Sequence, residues 1–185
     1  MARTVDSLGA TVPDPYPMKI YIDGVCRGQV PGNGSPSTIG GAAAVLTYGF
    51  GNDSPEICDH FLRSSNYHGA PPVTRKRAVI TAVIIALLKA LQKHYELGTD
   101  PYLNVEIYTD SRYVISCMTD WQYLWRSQNW ITTARREVAN RDLIEAAVEL
   151  NDRLMEKGRV GYIWIPQSQN QIAVRACIEV MDRNS

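Results

Sequence analysis

Two aspartates stand where a carboxylate can be held rigidly. Asp23 closes the alternating run MKIYIDG and precedes Gly24; Asp110 follows the run LNVEIYT and precedes Ser111. A carboxylate fixed at a strand end is a hard oxygen ligand for a divalent cation. It can also serve as a general acid or base. The competing structural role is turn formation, for which Asp followed by Gly or Ser is well suited; both roles stay open at this point. A second group is cationic and aromatic. Arg75, Lys76 and Arg77 open a helical pattern, and Trp121, Trp125 and Trp130 lie among Arg126, Arg135 and Arg136. Basic groups interleaved with aromatic rings can hold a nucleic-acid strand by ion pairing and base stacking. The same tryptophan spacing also serves helix packing, and exposed arginine is ordinarily a solvated surface. Cys26, Cys58, Cys117 and Cys177 include no CxxC pair, so zinc binding is not expected and free thiols are. Cys26 or Cys117 as a nucleophile weighs less than a buried structural role.

The elements that must position these residues follow from periodicity. MKIYIDG predicts a strand from Met18 that ends at Asp23 and Gly24. RGQVPGNGSPSTIGG is loaded with turn formers. GGAAAVLTYG and EICDHFLRSS predict the second and third strands. Thr74 is placed as the N-cap of a long helix through His94, with Ala78, Val79, Ala82, Val83, Ala86, Leu87 and Ala90 on its apolar side and Gly98 as its stop. LNVEIYT forms a further strand, Ser111–Met118 a short helix, and Asn140 or Asp142 starts a helix to about Lys157. RVGYIWI is a strand closed by Pro166, and a last helix follows QSQNQ. The order is β-β-β-α-β-α-α-β-α.

The 185 residues suffice for one domain, expected over 18–185 after a flexible segment 1–17. The apolar stretch Ala78–Leu91 is broken by Thr81 and Lys89 and reads as a buried helix rather than a membrane span. The first residues lack a signal-peptide core, which makes a cytoplasmic or nuclear location the expectation. Nineteen basic and nineteen acidic residues cancel, so no bulk positive charge draws the chain to nucleic acid; a local basic stripe remains compatible with that balance.

IDGVCRG, TRKRAVITAVIIALLKAL and VEIYTDSRYVISCM, in this order and spacing, resemble the ribonuclease H type 1 family, especially its eukaryotic and fungal branch. The resemblance spans about residues 18 to 182 and continues through Trp125, Asn129-Trp130, VANRDLIEAAVEL and YIWIPQSQN. It implies an α/β fold with a mixed five-stranded sheet flanked by helices. It also implies cleavage of the RNA strand of RNA–DNA hybrids with two magnesium ions. Such chemistry needs clustered carboxylates, because two cations clamp the attacking and leaving oxygens of the phosphodiester. Asp23 matches the family's first acid and Asp110 its third. The second acid belongs in a Thr-x-x-Arg-Ala-Glu helix start, where this chain has Thr74, Arg77, Ala78 and then Val79. The fourth belongs in Asn-x-x-Ala-Asp, where it has Asn170, Ala173 and Val174. A longer-loop register would bring Glu179 near the site instead. The loop Gln167-Ser168-Gln169 lacks the histidine that many members carry.

Valine supplies no lone pairs, so Asp23 and Asp110 are expected to hold one Mg²⁺ or Mn²⁺ at most, weakly. Three functions follow as expectations. The first is a degenerate pseudo-nuclease that keeps binding to RNA–DNA hybrid, duplex RNA or a protein partner, without any membrane association. Its nucleic-acid contacts would be Arg75, Lys76, Arg77, Trp125, Arg126 and Trp130. The second is a repurposed enzyme using Asp23 and Asp110 as an acid–base pair on a small molecule, in a cleft made more apolar by Val79 and Val174. The third is an active hybrid nuclease with a rearranged site.

Overall fold

Alternation of apolar residues builds the centre of the molecule. In β1 (Tyr16–Gly28), Met18, Ile20 and Ile22 are buried on one face while Tyr21, Asp23 and Val25 point to the other. The computed structural model describes residues 4–5, 11–12, 14–28, 38–49, 54–64 and 71–185. A two-residue ribbon pairs Thr4–Val5 with Thr11–Val12. Residues 1–3, 6–10 and 13 of the expected flexible segment, residues 29–37 of the turn-rich stretch and residues 65–70 before the long helix lie outside the described residues, whereas Tyr16 and Pro17 already belong to β1.

β2 (Thr38–Tyr48) and β3 (Glu56–Arg63) continue the sheet, followed by α1 (Arg75–Leu97), β4 (Leu103–Thr109) and α2 (Arg112–Ser116). One π-helical turn (Cys117–Trp121) joins α2 to α3 (Gln122–Ser127). Then come α4 (Arg141–Met155), β5 (Gly158–Trp164), a 3₁₀ turn at Gln167–Gln169 and α5 (Gln171–Asn184). The strands lie in the order β3-β2-β1-β4-β5. β1 runs antiparallel to β2 and parallel to β4, and β5 is parallel to β4. This is the mixed five-stranded α/β sheet expected.

Helices cover both faces. α1 and α4 pack Val79, Ile80, Val83, Leu87, Ile144 and Val148 against Met18, Ile20, Ile22, Ala44 and Leu46. On the opposite face α5 sets Ala173, Ala176 and Cys177 against Ala43 and Val45. Among the described residues α1 is long and apolar enough to cross a membrane, yet ten of its residues are buried inside the fold, as a core helix requires. Thr74 caps it by accepting a hydrogen bond from the Arg77 N–H at 3.2 Å, and Gly98 ends it in the left-handed conformation at φ 63°.

Two boundaries differ from the reading of the sequence. β1 begins at Tyr16 and does not end at Asp23 and Gly24; it stays paired with β2 through Gly28. Gly24 is not a turn residue. A Cβ there would lie 2.1 Å from the Val79 backbone nitrogen, so this glycine lets the start of α1 rest on the strand. The short helix after Asp110 does not stop at Met118 but continues through the π turn to Ser127. α4 starts where expected: Asn140, at φ 61°, precedes its first residue and its carbonyl accepts from the Ile144 N–H at 3.0 Å, while its side chain donates to the Tyr113 hydroxyl at 3.3 Å.

Candidate active site

Parallel pairing of β1 with β4 brings the two aspartates together. The last paired residues are Tyr21 and Tyr108, whose rings stack at 4.9 Å. Continuing that register by two residues sets Asp23 opposite Asp110, on the same face as the tyrosines. α5 covers β1 and β2 on this face, which places Asp23 beside its first turns. Asp23 is 1% exposed and the Asp110 side chain 12%.

The register of α5 is fixed by two bonds to β1. Asn170 Nδ2 donates to the Ile22 carbonyl at 2.9 Å, and the Cys177 thiol donates to the Asp23 carbonyl at 3.1 Å. At about 100° per residue, Val174 lies within about 60° of both anchors, on the side of α5 turned toward β1. Glu179 is exposed on the opposite side of the helix. The longer-loop alternative that would substitute Glu179 for a lost acid is therefore not what the chain adopts. Val79, 2% exposed, sits at the first turn of α1 with its backbone against Gly24.

Arg75, in the first turn of α1, reaches over this pair. Its Nη2 donates to Asp110 Oδ2 at 3.2 Å and lies 3.7 Å from Asp23 Oδ1. Both oxygens of Asp23 and Oδ1 of Asp110 are buried without a hydrogen-bond partner. Burial pushes the Asp23 carboxyl up to about 6 and the Asp110 charge adds to the rise; the Gly24 N–H and the Arg75 guanidinium oppose it. Trp164 Nε1 donates to the Asp110 carbonyl at 3.1 Å, and Arg112 stacks over the Trp164 ring at 4.5 Å, tying the strand end down.

Two magnesium ions need a surrounding set of oxygen ligands. Positions 79 and 174 supply none, and no group of three acids, histidines or cysteines is assembled among the described residues. The residues present do not fit a two-metal centre. Nor does a half-exposed guanidinium lying on both acids line a dry apolar pocket, the form expected for small-molecule acid–base chemistry.

The other sequence-predicted contacts are engaged within the protein. The Lys76 ammonium sits over the Tyr113 ring at 4.7 Å. Arg77, with 13% side-chain exposure, holds Asp142 through two bonds of 2.9 and 2.6 Å. Arg126 pairs with Asp152 at 2.5 Å, both about half-exposed. Tyr113, Trp121, Trp125 and Trp130 form a run of rings spaced 5.6–6.3 Å. Trp130 is buried within that run, while Trp121 is 42% exposed. The tryptophans are thus first a packing unit, with Trp121 as its open edge. The sequence reading missed Asp142 and Asp152 as partners of the arginines, and Trp164 and Arg112 as supports of Asp110. The Asp142 helix start was visible, but nothing local signals its contact with a residue 65 positions earlier.

All four cysteines are free. Burial pushes the thiols of Cys58 and Cys117 up to about 11 and that of Cys177 higher still, which opposes nucleophilic use.

Comparison with known proteins agrees with this architecture. A family model described as RNase H matches residues 15–174. A Ribonuclease H of Methylobacillus flagellatus is 33% identical over 148 residues, covering 80% of this chain and 78% of that protein. A Ribonuclease H of Treponema pallidum is 34% identical over 142 residues, covering 77% of each. Among solved structures, a type 1 RNase H with the type 2 active-site motif superimposes with a TM-score of 0.65 at 21% identity, covering 95% of this chain and 76% of that one. Strand order, the acid pair on adjacent parallel strands and these matches together lead to one conclusion: the chain belongs to the RNase H family.

Proposed function

We propose that this chain is a pseudo-nuclease: an RNase H-fold protein that has given up two-metal hydrolysis and keeps its surface for binding RNA–DNA hybrid or duplex RNA. The observation that carries the reading is the acid pair itself. Valine stands at 79 and 174, where the family pattern has its second and fourth acids, and an arginine bridges Asp23 and Asp110. One Mg²⁺ or Mn²⁺, weakly held, is the most that two carboxylates can support. The eukaryotic and fungal branch is part of the same reading and rests on the motifs IDGVCRG, TRKRAVITAVIIALLKAL and VEIYTDSRYVISCM together; the relatives above bear on the family and not on the branch. Binding is supported by the relation to nucleic-acid enzymes and by the availability of Arg126. Its ion pair with Asp152 is exposed and therefore weak, about 0–1 kcal/mol, so a phosphate can replace the carboxylate.

A cleavage assay on RNA–DNA hybrid with Mg²⁺ or Mn²⁺ is expected to give no product. Metal-dependent cleavage that disappears in Asp110→Asn would overturn the proposal. A gel-shift with hybrid and duplex RNA across a salt series is expected to show binding that weakens with salt. If neither nucleic acid shifts at low salt, the surface serves a protein partner instead.

A second reading has one observation in its favour. A carboxyl near pH 6 beside a second acid has the electrostatics of a general acid–base pair. Arg75 counts against it, because it occupies the approach to both acids.

A further inference from the structure

We infer that Arg75 is the resident cation of the acid pair: its guanidinium stands in the place of a metal ion and keeps divalent cations out. This deepens the pseudo-nuclease reading and rests on its assignment of Val79 and Val174 to the lost ligand positions.

The geometry is that of a shared counter-ion. One nitrogen, Arg75 Nη2, serves both carboxylates, at 3.2 Å to Asp110 and 3.7 Å to Asp23. Three of the four carboxylate oxygens have no hydrogen-bond partner, and the fourth accepts from Arg75. No other positive group makes an ion pair with either acid among the described residues. A divalent ion touching both carboxylates would lie within a few ångströms of the guanidinium. Repulsion between the two in a largely buried setting is strong, so binding requires Arg75 to leave.

The position of Arg75 also needs an explanation that the acids provide. The first turn of α1 carries Arg75, Lys76 and Arg77 and no acidic residue. Cations at a helix N-terminus face the positive end of the helix dipole and are disfavoured there. Each of the three is offset by a group from another element: Arg75 by the acid pair, Lys76 by the Tyr113 ring and Arg77 by Asp142. Arg75 is thus held against the local field by the two carboxylates, and they are held together by it. With valine at 79 and 174, the second and fourth ligands are gone and a built-in charge fills the remaining need.

The test is Mn²⁺ binding to the full chain without nucleic acid, read by electron paramagnetic resonance of free Mn²⁺ and by thermal shift. The parent and Arg75→Lys are expected to bind no Mn²⁺ at sub-millimolar concentration, with a melting temperature indifferent to the ion. Arg75→Gln is expected to melt lower than the parent without metal. It should bind one Mn²⁺ at least about tenfold more tightly and recover melting temperature as Mn²⁺ is added. Adding Asp110→Asn to Arg75→Gln should abolish the gain. Tight binding by the parent would overturn the inference, and this holds even if the Arg75→Gln variant fails to fold. So would an Arg75→Gln variant no better than the parent, or a gain that survives Asp110→Asn. These readouts involve no RNA, so their failure leaves the cleavage and gel-shift results standing on their own.

Discussion

At pH 7 the Asp23→Asn variant is expected to be more stable than the parent by on the order of 2–3 kcal/mol. The carboxyl of Asp23 is raised from 3.8 to about 6, chiefly because it is buried and also because Asp110 lies beside it. The sign follows from which state holds the proton. Between pH 4 and pH 6 the folded protein keeps a proton on Asp23 that the unfolded chain releases. Stability therefore falls as pH rises through that window, reaches its full loss above pH 6 and shows none below pH 4. Asparagine removes the charge while keeping the shape. Urea unfolding of parent and variant at several pH values checks this: the two should converge near pH 4 and separate toward pH 7. A variant less stable than the parent at pH 7 would mean that the ion pair with Arg75 outweighs the burial of the charge.

The Gly24→Ala substitution is expected to cost at least about 4 kcal/mol, enough to leave the protein largely unfolded at ambient temperature. An added Cβ would lie 2.1 Å from Val79 N, 2.3 Å from the Ala78 carbonyl carbon and 2.5 Å from Val79 Cα. These are backbone atoms, which no change of rotamer can move. The helix would have to lift from the strand, and with it both Arg75 and Val79. Gly28→Ala in the same strand meets nothing within 4 Å and is expected to change stability by less than about 0.5 kcal/mol. Denaturant midpoints of the pair separate a close-approach effect from a general intolerance of alanine in β1.

Much of this arrangement was legible in the chain because it is encoded locally. Alternation in MKIYIDG and LNVEIYT marks strands, Thr74 and Gly98 bracket the long helix, and the spacing Thr74-Arg77-Ala78 sets Val79 in its place. Other features depend on contacts that no local pattern carries. Gly24 looks like the end of a strand because glycine is a common turn residue; its actual use is to admit a helix packed from outside. Asn140 starts a helix as its position suggests, yet its side chain is drawn to Tyr113. Arg75 reads as a nucleic-acid contact at a helix start. Its role emerges only when two strands and a helix converge, joining residues 52 and 35 positions away.

The internal pairing of the basic residues bears on how a polyanion would be bound. Arg77 and Arg126 already hold Asp142 and Asp152. A phosphate that engages either arginine takes the place of a carboxylate, so each contact is an ion exchange and not a simple neutralisation. Cations leave the nucleic acid, but the freed aspartate attracts some of them back. The salt dependence of binding should then be shallower than the number of arginine–phosphate contacts implies. The same exchange sets a rank among sites. The exposed Arg126 pair gives way most readily, whereas the doubly bonded Arg77 stays with its partner and serves the fold.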